Sequence, residues 1–368
     1  MRTNEGDSVV TTASRTGTLA SAEMRVAQDE LDTVERRRFC ANMLPRVSRT
    51  FALSISFLPE RLKHPVSVSY LLCRIADTLE DSPNELLRVE EKVQLLGIFR
   101  DSLDSPDTPN LNRLQCAFDE NATADQELVR RCDIVLNEFH SFPESKKSCI
   151  RPWVQEMCDG MAEYVSKSSH PADQISGGVE TTDDLEQYCY FVAGTVGNLL
   201  TDLFYDERDI ANEKHKALAR RFGLGLQLTN IIKDLCVDTE GGRYFIPRDA
   251  CQSVGITQED FFEPDHAAAA QKIILSLVAR AKEHLKFALE YCLGLPRTEY
   301  GIRMFCLVSM FLALKTLALV KRRSHALGRG EGIKISRPQV YRTALMSSLI
   351  ARSNLLCQLY FGVLARAV

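Results

Sequence analysis

The chain lacks an excess of charge of either sign, paired cysteines, a leading apolar segment and strand-like alternation. Each absence closes off a class of protein. Its 45 basic and 49 acidic residues leave a net charge of −4, which gives no electrostatic case for a nucleic-acid partner. Twelve cysteines are present, but they stand singly in apolar stretches, as at Cys73, Cys132, Cys189 and Cys306, with no CxxC pair. They read as reduced core residues of a cytosolic protein and not as a disulfide scaffold. The N-terminus is polar and rich in Ser and Thr, so residues 1–35 read as a flexible lead without a signal peptide, ahead of one domain over 36–368. The longest apolar run, Met304 to Val320, carries Lys315 and reads as a buried core helix short of a membrane span. Strand patterns bounded by Asn-Gly or Asp-Gly turns are absent, and no GxGxxG unit follows a strand, so any nicotinamide site is non-Rossmann.

What remains is helical. Hydrophobic residues make up 45% of the chain, enough for a large core, and apolar residues recur at helical period over 39–58, 65–80, 85–103, 125–140, 148–165, 183–205, 215–237, 266–292, 300–323 and 338–365. Pro65 fits the first turn of the helix leading to Asp77, and Pro83 ends it just after Asp81. Thr182 with Asp183 can cap the helix that begins near Leu185, with Glu186 supporting its first turn. The fold class is all-α, a single-domain helical bundle. The segment Val340 to Val368 spaces Arg342, Arg352 and Arg366 among Leu, Ile and Tyr, so it reads as amphipathic and allows peripheral membrane contact.

Two acidic clusters share one shape: DTLED at Asp77 to Asp81 and DLCVD at Asp234 to Asp238. Residues at i and i+4 project from one helix face a turn apart, so each pair can grip a divalent ion from one side. Like charges so placed in apolar runs are unfavourable without a counter-charge, and a cation supplies one. The second pair continues a stripe of Gly223, Gln227, Asn230, Asp234 and Asp238, at spacings of four, three, four and four. A solvated face favours Lys, Glu and Arg; this one carries amides and carboxylates. Hard oxygen ligands with room for water suit Mg²⁺ bound through one or two carboxylates and substrate phosphate oxygens. Cations stand nearby: Arg49 between Ser48 and Thr50, Arg74 three residues before Asp77, Lys233 before Asp234, and Arg243 with Tyr244 after a Gly-Gly turn. Singly, each is as readily an ordinary ion-pair partner. The segment YCYFVAGTVGN places Tyr188, Val192 and Gly197 among small residues. These either let helices pack closely or open a groove for a long isoprenoid tail with Tyr188 aimed into it. Aromatic faces such as Tyr188, Tyr70, Phe51 and Phe305 suit a carbocation shielded from water.

At SRTF, RIADTLED, YCYFVAGTVG and LQLTNIIKDLCVDTEGGRYFIPRD the chain resembles the squalene and phytoene synthase family, from about Phe39 to Phe361. The resemblance implies an isoprenoid-synthase bundle around a central apolar cavity. It implies Mg²⁺, for which Mn²⁺ can substitute, held through Asp77, Asp81, Asp234 and Asp238 with Asn230 and Gln227 in the same cavity. It assigns diphosphate contacts to Ser48, Arg49, Arg74, Lys233 and Arg243, further substrate contacts to Thr50, Phe51, Val192, Gly197, Tyr244 and Phe305, and a catalytic role to Tyr188. EGIKISRPQVY and MFCLVSMFLA look like the squalene-forming members, with Ser309 standing where a proline is expected and Cys236-Val237 interrupting the second acidic motif. The tail anchor of the eukaryotic enzymes is missing, so the chain resembles a soluble, bacterial-style form.

The implied reaction joins two farnesyl diphosphates through presqualene diphosphate and reduces the product with NADPH. Lys334 and Arg337 are the candidates for the nicotinamide phosphate. A monomer in the cytoplasm is expected, with product leaving at the inner face of the membrane. Three alternatives stay open: the same condensation without reduction, giving presqualene diphosphate, dehydrosqualene or phytoene; a terpene cyclase; and a non-catalytic isoprenoid-binding protein.

Overall fold

A computed structural model describes residues 32–119, 123–167, 179–206, 213–240, 243–324 and 333–368. Among the described residues there is no strand, and all twelve cysteines are free thiols. The expected lead lies outside the described residues as far as 31, and 32–35 already belong to α1 (32–47).

Periodicity expects one helix over 39–58, but the chain makes α1 and α2 (Arg49–Ser56). Ser48 is extended, φ −155° and ψ 102°, and its Oγ accepts the Phe51 N–H at 3.2 Å, so it caps a new helix. α3 (Glu60–Asp81) starts after Pro59 and carries Pro65 inside it, so Pro65 does not open the helix. Ser82 and Pro83 close α3 directly behind the acidic pair. α4 (Val89–Ser102), α5 (Leu111–Gln115), α6 (Ala124–Arg130), α7 (Cys132–His140) and α8 (Glu144–Lys167) follow, with the pattern over 125–140 split at Arg131.

α9 (Thr182–Cys189), a π-helical turn (Tyr190–Gly194) and α10 (Thr195–Tyr205) run on without a break. The cap of α9 is Thr181, whose Oγ accepts the Asp184 N–H at 3.1 Å, and not Thr182 with Asp183. α11 (Glu213–Glu240), α12 (Arg248–Ser253), α13 (Ala267–Gly294), α14 (Tyr300–Arg323), α15 (Arg337–Ile350) and α16 (Asn354–Ala367) complete the order. Glu186 supports no first turn; it leaves α9 to pair with Arg280 and, at 2.8 Å, His284 on α13.

α11 is the hub, packed on α13, α10, the π turn and α14. α14 buries Phe305, Leu307, Phe311, Leu314 and Leu317. Taken whole, α14 is long and apolar enough to cross a membrane, but 72% of its most apolar window is buried in the bundle. Arg303 on α14 is fully buried and donates to the carbonyls of Ala351 at 2.6 Å and Leu295 at 2.8 Å and to Asn354 Oδ1 at 2.7 Å. Those acceptors satisfy a guanidinium that would otherwise be costly to bury, and they fasten the α15–α16 turn to α14.

Candidate active site

Close backbone approach opens the site. A Cβ on Gly223 would lie 2.6 Å from the Ala193 carbonyl carbon, and one on Gly197 would lie 2.8 Å from that of Ala219. Only glycine lets α11 meet the π turn and α10 at that distance. The close packing expected of the small residues is thus present, and Gly197 and Gly223 also line a cavity of about 260 Å³.

Along α11 the lining runs from Ala219 and Phe222 to Gln227 and Asn230; across from it stand Arg74 and Asp77 of α3. Phe51, Val192, Phe204, Tyr291 and Phe305 supply apolar wall. Phe51 stacks on Tyr70 at 4.8 Å and meets Phe305 edge-on at 6.5 Å, so ring faces from α2, α3 and α14 converge there. Arg74, Asp77, Phe51, Val192, Gly197, Gln227, Asn230 and Phe305 are thus brought together as expected.

The remaining carboxylates stand beyond the polar lining. Arg74 donates to Asp77 Oδ2 at 2.6 Å and to Asp125 Oδ1 at 2.7 Å. Arg243 pairs with Asp81 of α3 and donates to Asp238 Oδ1 of α11 at 2.6 Å, so one guanidinium ties the two acidic motifs together. Lys233 pairs with its neighbour Asp234. Burial, and then the Asp234 charge, push the Asp238 carboxyl up to about 7, and burial also raises Asp77 against the pull of Arg74 and Arg243. Glu80, buried next to Asp81, is pushed up to about 8 by burial and by Asp77, and its Oε2 is buried without a partner.

The donor set fits divalent magnesium. Among the described residues no group of three or more His, Cys, Asp or Glu gathers around one point. Two facing pairs of hard carboxylates suit an ion that takes one or two protein oxygens and leaves positions for water and diphosphate.

Tyr188 departs from its expected place. It is 4% exposed and does not line the cavity; its ring stacks on Phe245 at 4.9 Å and meets Tyr164 at 5.2 Å. Its phenol faces Glu80, and burial followed by that carboxylate raises the phenol well above its ordinary value. Ser48 caps α2, Arg49 and Thr50 are exposed beside it, and Tyr244 is half-buried next to Phe245, all outside the cavity lining. Lys334 and Arg337 are exposed, but the Ile333 N–H reaches the Lys233 carbonyl at 3.4 Å, which brings their segment against the second acidic helix. Sequence reasoning missed Glu80, although it sits within DTLED, and also Asp125 and Phe245, which no local pattern marks.

An all-α bundle with an apolar cavity and facing carboxylate pairs at its polar side is an isoprenoid-synthase fold, and solved structures share it. A complex of TcSQS with the ligand E5700 superposes with a TM-score of 0.76 at 27% identity, covering 90% of this chain and 92% of that one. A dehydrosqualene synthase complex gives 0.62 at 19% identity, covering 88% and 98%, a likeness of fold. The chain belongs to the squalene/phytoene synthase family, whose model matches residues 44–339. Squalene synthase ERG9 of Gibberella zeae is 31% identical over 301 residues, 81% of this chain and 61% of that protein. The squalene synthase of Schizosaccharomyces pombe is 31% identical over 317 residues, 84% of this chain and 65% of that protein. The chain therefore spans less than two thirds of these relatives' length.

Proposed function

We propose that the protein is a squalene-forming prenyltransferase that joins two farnesyl diphosphates head to head. The observation that carries the reading is the pair of carboxylate motifs tied through Arg243 beside an apolar, aromatic-walled cavity. Asp77, Asp81, Asp234 and Asp238 would hold Mg²⁺, which when bound neutralises charge on a departing diphosphate. Arg74, Lys233 and Arg243 orient diphosphate oxygens, and Gln227 and Asn230 extend polar contact into the cavity. The apolar lining holds the prenyl tails and keeps water from cationic carbon. Tyr188, with Glu80 against its phenol, handles the proton lost as the cyclopropyl intermediate closes.

NADPH would supply the hydride that ends the second stage, with Lys334 and Arg337 as phosphate contacts; their exposed charges and the Ile333–Lys233 backbone bond support that assignment. The test is to incubate purified protein with farnesyl diphosphate and Mg²⁺, with and without NADPH, and to identify products by mass spectrometry. Squalene that forms only with NADPH is expected. Products unchanged by NADPH would sink the reductive half of the proposal, and a cyclic product from one farnesyl unit would sink the condensation as well.

A further inference from the structure

The two C-terminal helices leave rows of large apolar side chains on their outer sides, and α15 buries small hydroxyls in their place. On α15 the fully buried side chains include Thr343 and Ser347, while Tyr341, Leu345 and Leu349, four residues apart, are 65%, 61% and 68% exposed. α16 buries Cys357 and Phe361 but also leaves Leu355, Leu359 and Val363, again four apart, exposed. Of the twelve large apolar side chains exposed among the described residues, eight lie between Tyr341 and Val363. A surface helix that needs only water outside turns its apolar stripe inward. Thr343 and Ser347 instead spend their hydroxyls on the Gln339 and Thr343 carbonyls of their own helix, at 2.7 and 2.9 Å, leaving the large residues on the outer side.

Charge selects the partner. From Ile333 to Val368 there is no Asp or Glu, but Lys334, Arg337, Arg342, Arg352 and Arg366 are present and exposed. None of the five makes an ion pair among the described residues, although Arg352 lies over the Tyr300 ring at 5.2 Å. A second copy laid symmetrically on this face would bring arginines against arginines without an acid between them. An anionic bilayer offers the opposite charge to Arg342, Arg352 and Arg366 together with an apolar interior for the leucines. We infer that α15 and α16 form a docking face for the surface of an anionic membrane.

The position relative to the cavity suits that role. α14 turns Phe305, Cys306 and Ser309 toward the cavity and meets α15 and α16 through Arg303, Phe311 and Lys315. One helix thus separates the cavity from the docking face.

The test is flotation of the full chain with vesicles of phosphatidylcholine alone or with roughly one third phosphatidylglycerol, at low and at high salt. Binding to the anionic vesicles, at least about tenfold above the neutral ones and lost at high salt, is expected. Arg342→Gln and Arg352→Gln should each weaken it about fivefold. Leu345→Ser with Leu349→Ser and Leu359→Ser should abolish it. Thermal unfolding checks that triple variant; if its fold is lost, the arginine variants and the salt series on the unaltered chain decide. Failure to bind anionic vesicles, equal binding to neutral ones, or a dimer by light scattering that the leucine variant dissociates would each overturn the inference. Binding is read without turnover, so its failure is distinct from failure of the reaction proposed above.

Discussion

Replacing Gly223 by alanine tests whether backbone approach sets the site. The added Cβ would lie 2.6 Å from the Ala193 carbonyl carbon and 2.9 Å from the Gly194 nitrogen, whereas ordinary contact begins at 3.4 Å. These neighbours are backbone and cannot rotate away, so α11 and the π turn must separate by roughly 1 Å, a misplacement that can lower a catalytic rate about a hundredfold. The strain itself costs about 1–3 kcal/mol of stability, a melting shift of a few degrees in a chain this long. Because α11 also carries Gln227, Asn230, Asp234 and Asp238, the shift should move the metal side of the cavity as a body and lower kcat/KM about a hundredfold, near 3 kcal/mol. Gly97→Ala is the control: its Cβ would meet nothing within 4 Å in the middle of α4, so the change should stabilise by about 0.5–1 kcal/mol and leave turnover alone. Product formation under single-turnover conditions and thermal unfolding provide the readouts. Unaltered activity and melting in Gly223→Ala would refute the reasoning.

Tyr188→Phe keeps both ring contacts, so melting should change little while condensation of farnesyl diphosphate slows about a hundredfold; unchanged turnover would remove Tyr188 from the chemistry. Glu186 gives a prediction of pH dependence. Burial opposes its charge, but His284 and Arg280 outweigh that and hold the carboxyl down at about 2, from an ordinary 4.5. A depressed carboxyl contributes stability above its unfolded value and loses it as pH falls through its folded one, so Glu186→Gln should destabilise by about 3 kcal/mol at neutral pH. The difference should shrink between about pH 4.5 and pH 2; urea unfolding that shows an equal deficit at pH 7 and pH 3 would contradict it.

The helices and acidic pairs were legible because each rests on local spacing. DTLED and the stripe ending at Asp238 state their own geometry at i and i+4, and the amides of α11 lie where its periodicity puts them, whereas the π turn at Tyr190–Gly194 interrupts a pattern read as one regular helix. What the spacing could not show was which side chains meet across helices. Asp125 lies 51 residues from Arg74 and yet shares its guanidinium, and Arg243 joins two motifs that no local pattern links. Glu186 looked like part of a capped first turn and belongs to α13's ion pairs, because tertiary partners 94 and 98 residues away compete with the local role. The helix ends failed for a similar reason: Ser48, Arg131 and Ser353 break apolar patterns that continue on both sides.

The π turn also acts as a phase shift. In an uninterrupted α-helix Tyr188 and Gly197, nine residues apart, would point about 180° from each other. A π turn accommodates one residue more than an α turn, which takes back about 100° and leaves the two within roughly 80°. A chain shorter by one residue between Tyr190 and Gly194 could restore regular α-helical bonding. The two, then eight residues apart, would keep that angle of roughly 80°, whereas all nine residues in regular α-helical bonding would turn either Tyr188 away from Glu80 or Gly197 away from α11. The irregular turn is thus what allows one continuous stretch of chain to serve the phenol's surroundings and the cavity wall together.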